Sequence, residues 1–317
     1  MALPIQRLVK VLEAPKADNL KIAIGAIVAG CFGLALGDAL IKQQSATFVL
    51  WQIFVLRSAL LMPFLFYLVR VYRNADPIMP RRFGWTLLRS MVLVVMWVFY
   101  FAALPHIEFA VAAAAFYTLP IFITLFAALF LGERISARGW LAVVVGSAGT
   151  VLVLQPQADD FNAWTLLPLV AAILYAVAMI LTRSKCRQEK AAVLSLWMNI
   201  CFIGIGALAL LCLALWNPAA ESVASNPFLF GAWTPMSLSE WRTMGILAAA
   251  ILAGSIGAAV AYQLGPASTV AIFDFSYVGF AAILGYLFFA EIPGTLVAAG
   301  ILMIVAAGII ASWQRGA

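Results

Sequence analysis

The chain has 317 residues, of which 65% are hydrophobic and 10% are charged, and its formal net charge is +6. A soluble domain is about 45–50% apolar and about 25% charged, so a water-soluble core could not hide this much apolar surface. The composition excludes a soluble globular protein and predicts one embedded in a lipid bilayer. The positive charge does not indicate a nucleic-acid partner, because Lys and Arg lie in short breaks between apolar runs.

Ten apolar segments are long enough to cross a bilayer, since about 20 apolar residues span about 30 Å of hydrocarbon. All ten are predicted to be helices, because a lipid-exposed backbone must satisfy its hydrogen bonds within the segment. The expected fold is therefore an all-α integral membrane protein. The spans are expected at about residues 20–41, 47–69, 84–104, 109–131, 136–154, 164–182, 192–216, 243–263, 267–289 and 294–312.

The distribution of basic residues predicts the orientation of these helices. With the N-terminus inside, every Lys and Arg falls in an inner segment except Lys42 and Arg242, which are outside, and Arg57, which is within a span. Basic residues are concentrated in the cytoplasmic segments of membrane proteins. Both termini are therefore predicted to be cytoplasmic.

The two halves of the chain each contain a similar charged break before their last span. Residues 129–135 read LFLGERI, and residues 287–293 read LFFAEIP. Each half holds five spans, and because five is odd, the second half must insert in the opposite orientation. This predicts two inverted five-helix repeats, an architecture typical of alternating-access transporters. The expected divisions are an N-terminal cytoplasmic segment 1–19, a first repeat 20–154, a linker 155–163, and a second repeat 164–313 with an outer loop 217–242.

Ionisable residues inside the spans are the first candidates for a functional site. A charge at the bilayer centre costs at least about 2.5–3.5 kcal/mol on insertion scales, so it needs a partner or a water-filled cavity. Arg57 lies near the midpoint of the second span, and Asp274 lies about 10 Å into the ninth. Each is interpreted as a substrate anchor or as one member of a charge-compensating pair. The alternative is a structural ion pair that fixes helix packing.

Two further acidic residues lie near the predicted outer ends of spans. Asp38 precedes Lys42 by four residues, a spacing that allows a local salt bridge on a helix. Glu108 lies in the break before the fourth span, close to His106. A role in gating or coupling is one interpretation of Asp38 and Glu108. An interfacial ion pair and a solvated loop residue, respectively, are the alternatives.

Aromatic side chains are concentrated in the third, fourth and ninth spans. A cavity that they line would suit a planar or amphipathic organic solute with a few polar groups, whereas contact with lipid or neighbouring helices is the alternative for each. Pro120 lies within the fourth span and predicts a kink, because it cannot donate a helix hydrogen bond. The candidate lining residues are Trp97, Tyr100, Tyr117, Phe275 and Tyr277.

Motifs for ATP use, catalysis and metal binding are absent from the sequence. There is no G-x-x-x-x-G-K-[ST], G-x-S-x-G or H-E-x-x-H pattern, a single histidine, and no C-x-x-C among the four cysteines. The sequence therefore predicts no catalytic residues, no metal, no cofactor and no enzymatic activity.

Several short motifs occur along the chain: GER at 132–134, AEIP at 290–293, DALIK at 38–42, and shorter segments at 57–58, 87–89, 119–120, 181–183 and 265–268. In their order and spacing these motifs resemble those of the drug/metabolite transporter superfamily, and within it those of the EamA-type transporters. The resemblance covers about residues 20–313 and implies an inner-membrane carrier with a central cavity between two halves. It extends to a subgroup that includes riboflavin and S-adenosylmethionine carriers, whose ninth span often reads Pro-Phe-Glu-Tyr where this chain has Ile-Phe-Asp-Phe at 272–275.

These features predict a secondary-active or facilitative transporter of a small organic metabolite that works by alternating access around a central cavity. Arg57 would hold an anionic or carbonyl group, and Asp274 would hold a cation, accept a proton or neutralise Arg57. Proton coupling and exchange against a counter-substrate both fit, as do a monomer and a homodimer. The alternatives are a non-transporting membrane scaffold or sensor, and a membrane-embedded enzyme acting on a lipid-linked substrate.

Overall fold

A computed structural model describes residues 19–70, 78–154, 163–291 and 294–312. The predicted N-terminal segment 1–19 and linker 155–163 lie outside these ranges, apart from one residue of each. Every secondary-structure element assigned within these ranges is a helix. In chain order they are α1 (Leu20–Gln44), α2 (Leu50–Arg70), α3 (Phe83–Ala103), α4 (Phe109–Phe116), α5 (Leu119–Phe126), α6 (Ala137–Leu154), α7 (Leu166–Ser184), α8 (Ala191–Trp216), α9 (Ala220–Ser225), α10 (Pro227–Phe230), α11 (Leu238–Leu264), α12 (Ala267–Asp274), α13 (Ser276–Phe289) and α14 (Thr295–Ser312).

Eight helical segments in the described ranges are long and apolar enough to cross a membrane, so the chain is a multi-pass membrane protein and its all-helical prediction is confirmed. The fifth and tenth predicted spans form α6 and α14, each of 18 residues, which fall outside this group of eight. The eight segments are Leu20–Gln44, Leu50–Tyr67, Phe83–Ala103, Phe109–Leu131, Ala163–Ser184, Ala191–Trp216, Leu238–Leu264 and Ala267–Phe289.

The fourth and ninth spans are each divided into two helices. In the fourth, α4 ends at Phe116, α5 begins at Leu119, and a π-helical turn completes the span. Pro120 lies in the first turn of α5, where backbone N–H groups have no acceptor within the helix, so proline removes no helix hydrogen bond. In the ninth, only Phe275 separates α12 from α13. Both interruptions lie inside the bundle.

The bundle is held together by four prominent helix pairs: α1 with α11, α6 with α14, α2 with α8, and α3 with α7. Small residues let α1 and α11 approach closely, as membrane helices commonly do. A Cβ added to Gly33 would lie 2.7 Å from the carbonyl oxygen of Ala250, and one added to Gly257 would lie 2.6 Å from that of Ala26. The glycines therefore set the distance between these helices.

The segment between α8 and α11 folds over one end of the bundle and contains the short helices α9 and α10. Trp51 on α2 donates its indole N–H to the carbonyl oxygen of Leu229 at 2.9 Å. Gln52 exchanges two hydrogen bonds with the backbone of Thr234, at 2.7 and 2.9 Å. A capping box from Ser237 starts α11 at Leu238, inside the range predicted as loop. The segment is thus an ordered cover docked on α2.

Candidate functional site

The two interrupted spans meet at the centre of the bundle. Tyr117, which follows α4, lies with its ring centroid 6.2 Å from that of Phe275, the residue between α12 and α13. The Tyr117 ring also stacks on Tyr277 at 4.8 Å. Interrupted helices place irregular backbone at membrane depth only where it is covered by protein or lines a cavity. The interruptions therefore mark the centre as the place where a site can form.

Asp38 on α1 lies in a hydrogen-bonded chain with two tyrosines. Tyr277 donates its hydroxyl to Oδ2 of Asp38, and the hydroxyl oxygens of Tyr277 and Tyr100 are 2.9 Å apart. Oδ1 of Asp38 is buried without a hydrogen-bond partner among the described residues. The local pair with Lys42 considered above is not formed, because Lys42 instead binds Glu291 at 2.9 Å. Asp38 thus faces the bundle interior.

Asp274 is the last residue of α12 and accepts a hydrogen bond from a different tyrosine. Tyr262 on α11 donates its hydroxyl to Oδ2 of Asp274, and the Cys31 thiol on α1 lies 3.5 Å from Oδ1. Tyr175 lies with its ring 6.5 Å from that of Tyr262. Sequence reasoning missed Tyr262, although a hydroxyl inside an otherwise apolar span was the signal that could have found it. Each buried aspartate therefore accepts a hydrogen bond from a tyrosine of another helix.

Arg57 on α2 is completely buried and its guanidinium lacks an acceptor. The group lies over the rings of Phe54 and Phe202, at 5.0 and 4.1 Å from their centroids. None of its three nitrogen atoms makes a hydrogen bond to a described residue, so the predicted pair with Asp274 is not hydrogen-bonded. A buried guanidinium with five N–H donors and no acceptor is costly, so this position calls for a further partner.

The remaining predicted residues divide into two groups. The aromatic candidates Trp97, Tyr100, Tyr117, Phe275 and Tyr277 are all buried around the centre, at most 4% exposed. Phe116, another aromatic residue of the fourth span, links them, with its ring 5.0 Å from Tyr100 and 5.7 Å from Tyr117. Glu108 is exposed at the start of α4 and makes no side-chain capping bond there. The structure therefore brings the aromatic residues together and leaves Glu108 at one end of the bundle.

Two glutamates close the ends of the interrupted spans. Glu133 follows the fourth span and accepts hydrogen bonds at the start of α12. Glu291 follows the ninth span and accepts a hydrogen bond at the start of α4, where it also pairs with Lys42. The repeated motifs of the sequence thus correspond to reciprocal contacts, which the motifs alone did not reveal.

A cavity lies next to each of these glutamate contacts. The one beside Glu133 has a volume of about 240 Å³ and includes Thr124 and Ile272 in its lining. The one beside Lys42 has a volume of about 470 Å³ and includes Ser45 and His106. Partial burial lowers the pKa of His106, which stacks on Trp164 with a centroid distance of 3.9 Å. No group of three or more His, Cys, Asp or Glu side chains that could hold a metal is found within the described ranges.

Residues 21–155 match the family described as the EamA-like transporter family. The pseudopaline exporter CntI of Pseudomonas aeruginosa strain PAO1 is 27% identical over 307 residues, covering 94% of this chain and 99% of the relative. A riboflavin transporter of Rhizobium johnstonii is 29% identical and covers 78% of this chain and 76% of its own length. An S-adenosylmethionine uptake transporter of Rickettsia bellii is 24% identical, covering 80% and 79%.

A crystal structure that shares 19% sequence identity superposes with a TM-score of 0.69 and covers 92% of this chain and 97% of its own. At this identity the match shows a shared fold. The family match and the similar relatives confirm the resemblance to drug/metabolite transporters that the sequence predicted. Residues 21–155 therefore match the EamA-like transporter family, and a relative that aligns along nearly the whole chain is named as an exporter.

Proposed function

We propose that this protein carries a small organic metabolite across the inner membrane by alternating access around the centre of the bundle. The relatives are named for the export or uptake of small organic molecules, and none is named as an enzyme. The observation that carries the proposal is Arg57, a buried cation without a hydrogen-bond acceptor among the described residues. A transported solute can supply the missing partner.

We further propose that α6 and α14 complete a set of ten spans arranged as two inverted repeats. Exchanging the two halves would turn the first span into the sixth and the third into the eighth. The pairing of α1 with α11 would then become that of α7 with α3, and both pairs pack in the structure. The pairs α2 with α8 and α6 with α14 would map onto themselves. This agreement supports the inverted arrangement.

The proposed orientation places both termini in the cytoplasm, because the basic residues are concentrated in the segments assigned to that side. Glu133 then lies toward the cytoplasm, and Glu291, with the cover that contains α9 and α10, lies on the outer side. A monomer and a homodimer are both compatible with the proposed cycle.

Arg57 is proposed to hold an anionic or carbonyl group of the substrate. Phe54 and Phe202 lie against the guanidinium, which favours approach of an acceptor in the plane of the group. Planar, two-pronged recognition of a carboxylate is the geometry that arginine provides best. Asp38 and Asp274 are proposed to hold a cationic group of the solute, a counter-substrate or a proton. The surrounding aromatic rings would contact its apolar part.

A binding screen tests the proposal directly. Purified protein would be tested by thermal unfolding against amino acids, flavins, nucleosides, S-adenosylmethionine and organic acids. A ligand at 100 times its dissociation constant should stabilise the folded state by about 2.7 kcal/mol. We expect at least one such ligand, and we expect its effect to disappear in Arg57→Ala. Arg242→Ala, which removes an exposed arginine, serves as the control and should retain binding.

Flux then distinguishes transport from the alternatives. The ligand found in the screen should cross the membrane of liposomes that contain the protein, and Arg57→Ala should abolish this flux. A ligand that binds the folded protein but does not cross would contradict the transporter proposal and favour a sensor.

A further inference from the structure

Glu133 joins the end of the fourth span to the beginning of the ninth. Its Oε1 accepts the backbone N–H of Ala267 at 3.0 Å, and its Oε2 accepts the backbone N–H and the hydroxyl of Ser268 at 3.2 and 2.6 Å. The first N–H groups of a helix have no partner within the helix, and the helix dipole favours a negative charge there. Glu133 therefore holds the start of α12.

Glu291 makes the corresponding contact at the other end of the bundle. Its Oε1 accepts the backbone N–H of Phe109 at 3.2 Å, at the start of α4, and binds Lys42 Nζ at 2.9 Å. Lys42 also donates to the carbonyl oxygen of Ile107 at 3.0 Å. The end of the ninth span is thus joined to the beginning of the fourth.

The local backbone makes the two contacts alike. The residue before each glutamate has a left-handed conformation, with φ of 66° at Gly132 and 54° at Ala290. This turn ends the span and directs the following glutamate back toward the bundle. The structural correspondence explains the sequence echo between the two motifs.

Each glutamate acts on one end of a short helix whose other end lies at the site. The helices α4 and α12 have eight residues each, which corresponds to about 12 Å. Asp274 ends α12, and Tyr117 follows α4 directly. Movement at a glutamate contact can therefore be transmitted through a single rigid helix to the centre.

We propose that Glu133 and Glu291 are positioning residues that hold opposite ends of the transport pathway closed and are released alternately. This inference rests on the proposed transport function. Both contacts are formed in the structure, and the residues at the centre are buried. Release of Glu133 would free α12 and open one end, whereas release of Glu291 and Lys42 would free α4 and open the other. Simultaneous release would create a leak.

Labelling of introduced cysteines tests the proposal, with a Cys212→Ser protein that carries no introduced cysteine as the background for the three buried native cysteines. The reporters are Thr124→Cys and Ser45→Cys, at buried residues that line the cavities beside Glu133 and Lys42, in a Cys212→Ser background that removes the exposed cysteine. The reaction of each reporter with a hydrophilic maleimide would be measured on the purified protein.

Glu133→Gln should increase the labelling rate of the reporter at residue 124 by about tenfold and decrease that at residue 45, because hydrogen bonds to a charged group are lost. Glu291→Gln should have the opposite effect. Glu221→Gln, which alters an exposed carboxylate on α9, should change neither rate. General loosening of the fold would not produce opposite shifts. Equal shifts in the same direction, or no shift, would overturn the proposal.

Milder variants guard against loss of folding. Ser268→Ala removes one donor to Glu133, and Lys42→Gln removes the ion pair with Glu291. Ser268→Ala should shift the two labelling rates in the same directions as Glu133→Gln, and Lys42→Gln in the same directions as Glu291→Gln, with smaller changes. If wild-type protein transports its ligand but the labelling does not shift, the inference fails while the transport function stands. If the labelling shifts but no ligand found by the binding screen crosses a membrane, the transport function fails.

Discussion

The buried guanidinium of Arg57 has no hydrogen-bond acceptor among the described residues. Tyrosine hydroxyls donate hydrogen bonds to the two buried aspartates, whereas the Arg57 guanidinium lies over aromatic rings and makes no hydrogen bond to a described residue. Cation–π contact is worth about 2 kcal/mol when desolvated, which is less than the several kcal/mol needed to bury an ion. A ligand whose acceptor groups bind the guanidinium N–H donors would explain why a charged residue is present at this position.

Arg57→Met should leave the ligand-free protein as stable or more stable, by up to about 1–4 kcal/mol, because a buried charge is replaced by an apolar side chain that needs no hydrogen-bond acceptor. Thermal or denaturant unfolding of the purified variant measures this. Arg89→Met is the control, since Arg89 is also buried but donates to Thr182 Oγ1 at 2.6 Å, and it should lose about 1–3 kcal/mol. An equal loss in both variants would contradict the assignment of Arg57 as a residue that awaits a ligand.

The elements of this protein divide into long packed helices and short half-helices. The contact between α1 and α11 depends on glycines that bring the two backbones together, so it suits a part of the bundle that stays fixed. The helices α4 and α12 are short, are interrupted at the centre, and are tied at their beginnings by glutamates of other segments. Conformational change is therefore expected in the half-helices.

Gly33→Ala should destabilise the protein by about 1–3 kcal/mol, because its new Cβ would lie 2.7 Å from a backbone carbonyl oxygen that cannot move independently. Gly25→Ala on the same helix is the matched control, since nothing lies within 4 Å of its new Cβ. Alanine favours a helix over glycine, so this control should be neutral or slightly stabilising. The unfolding midpoints of the two variants measure the difference. Similar midpoints would show that the α1–α11 contact tolerates separation.

At the scale of the whole molecule, the packing of the helices supports the proposed division into two halves. The helix pairs that pack in the structure are those that an exchange of the halves would interconvert. The two glutamate contacts are interconverted by the same exchange. An inverted repeat explains both observations with one symmetry operation, and it requires α6 and α14 to cross the membrane.

Topology reporters test this requirement. Alkaline phosphatase inserted in the linker 155–163 should be active in the periplasm of a bacterial host, and a fluorescent protein joined to the C-terminus should fluoresce in the cytoplasm. An insertion in the outer segment near Glu221 provides a periplasmic control. If α6 does not cross, the linker reporter will be inactive, and the ten-span arrangement will be wrong.

Several properties followed from the sequence because they depend on composition and local pattern. Lipid as solvent requires helices wherever about 20 apolar residues occur together, so the membrane spans and the all-helical class could be predicted. Charges inside spans are rare enough to select Arg57 and Asp274 without a structure. The echo between the two charged motifs indicated a repeat, and the motifs together indicated the transporter family.

Which side chains contact each other across the bundle was decided only by the tertiary structure. Tyr277 and Asp38 are 239 residues apart, and Cys31 and Asp274 are 243 apart, so no local spacing could join them. Phe54 could be placed near Arg57 from its i, i+3 spacing, but Phe202 belongs to another span. Contacts across a bundle depend on how each helix is rotated about its axis and how closely its neighbours pack. Hydrophobicity determines that a segment enters the membrane, whereas side-chain packing determines which neighbour it faces.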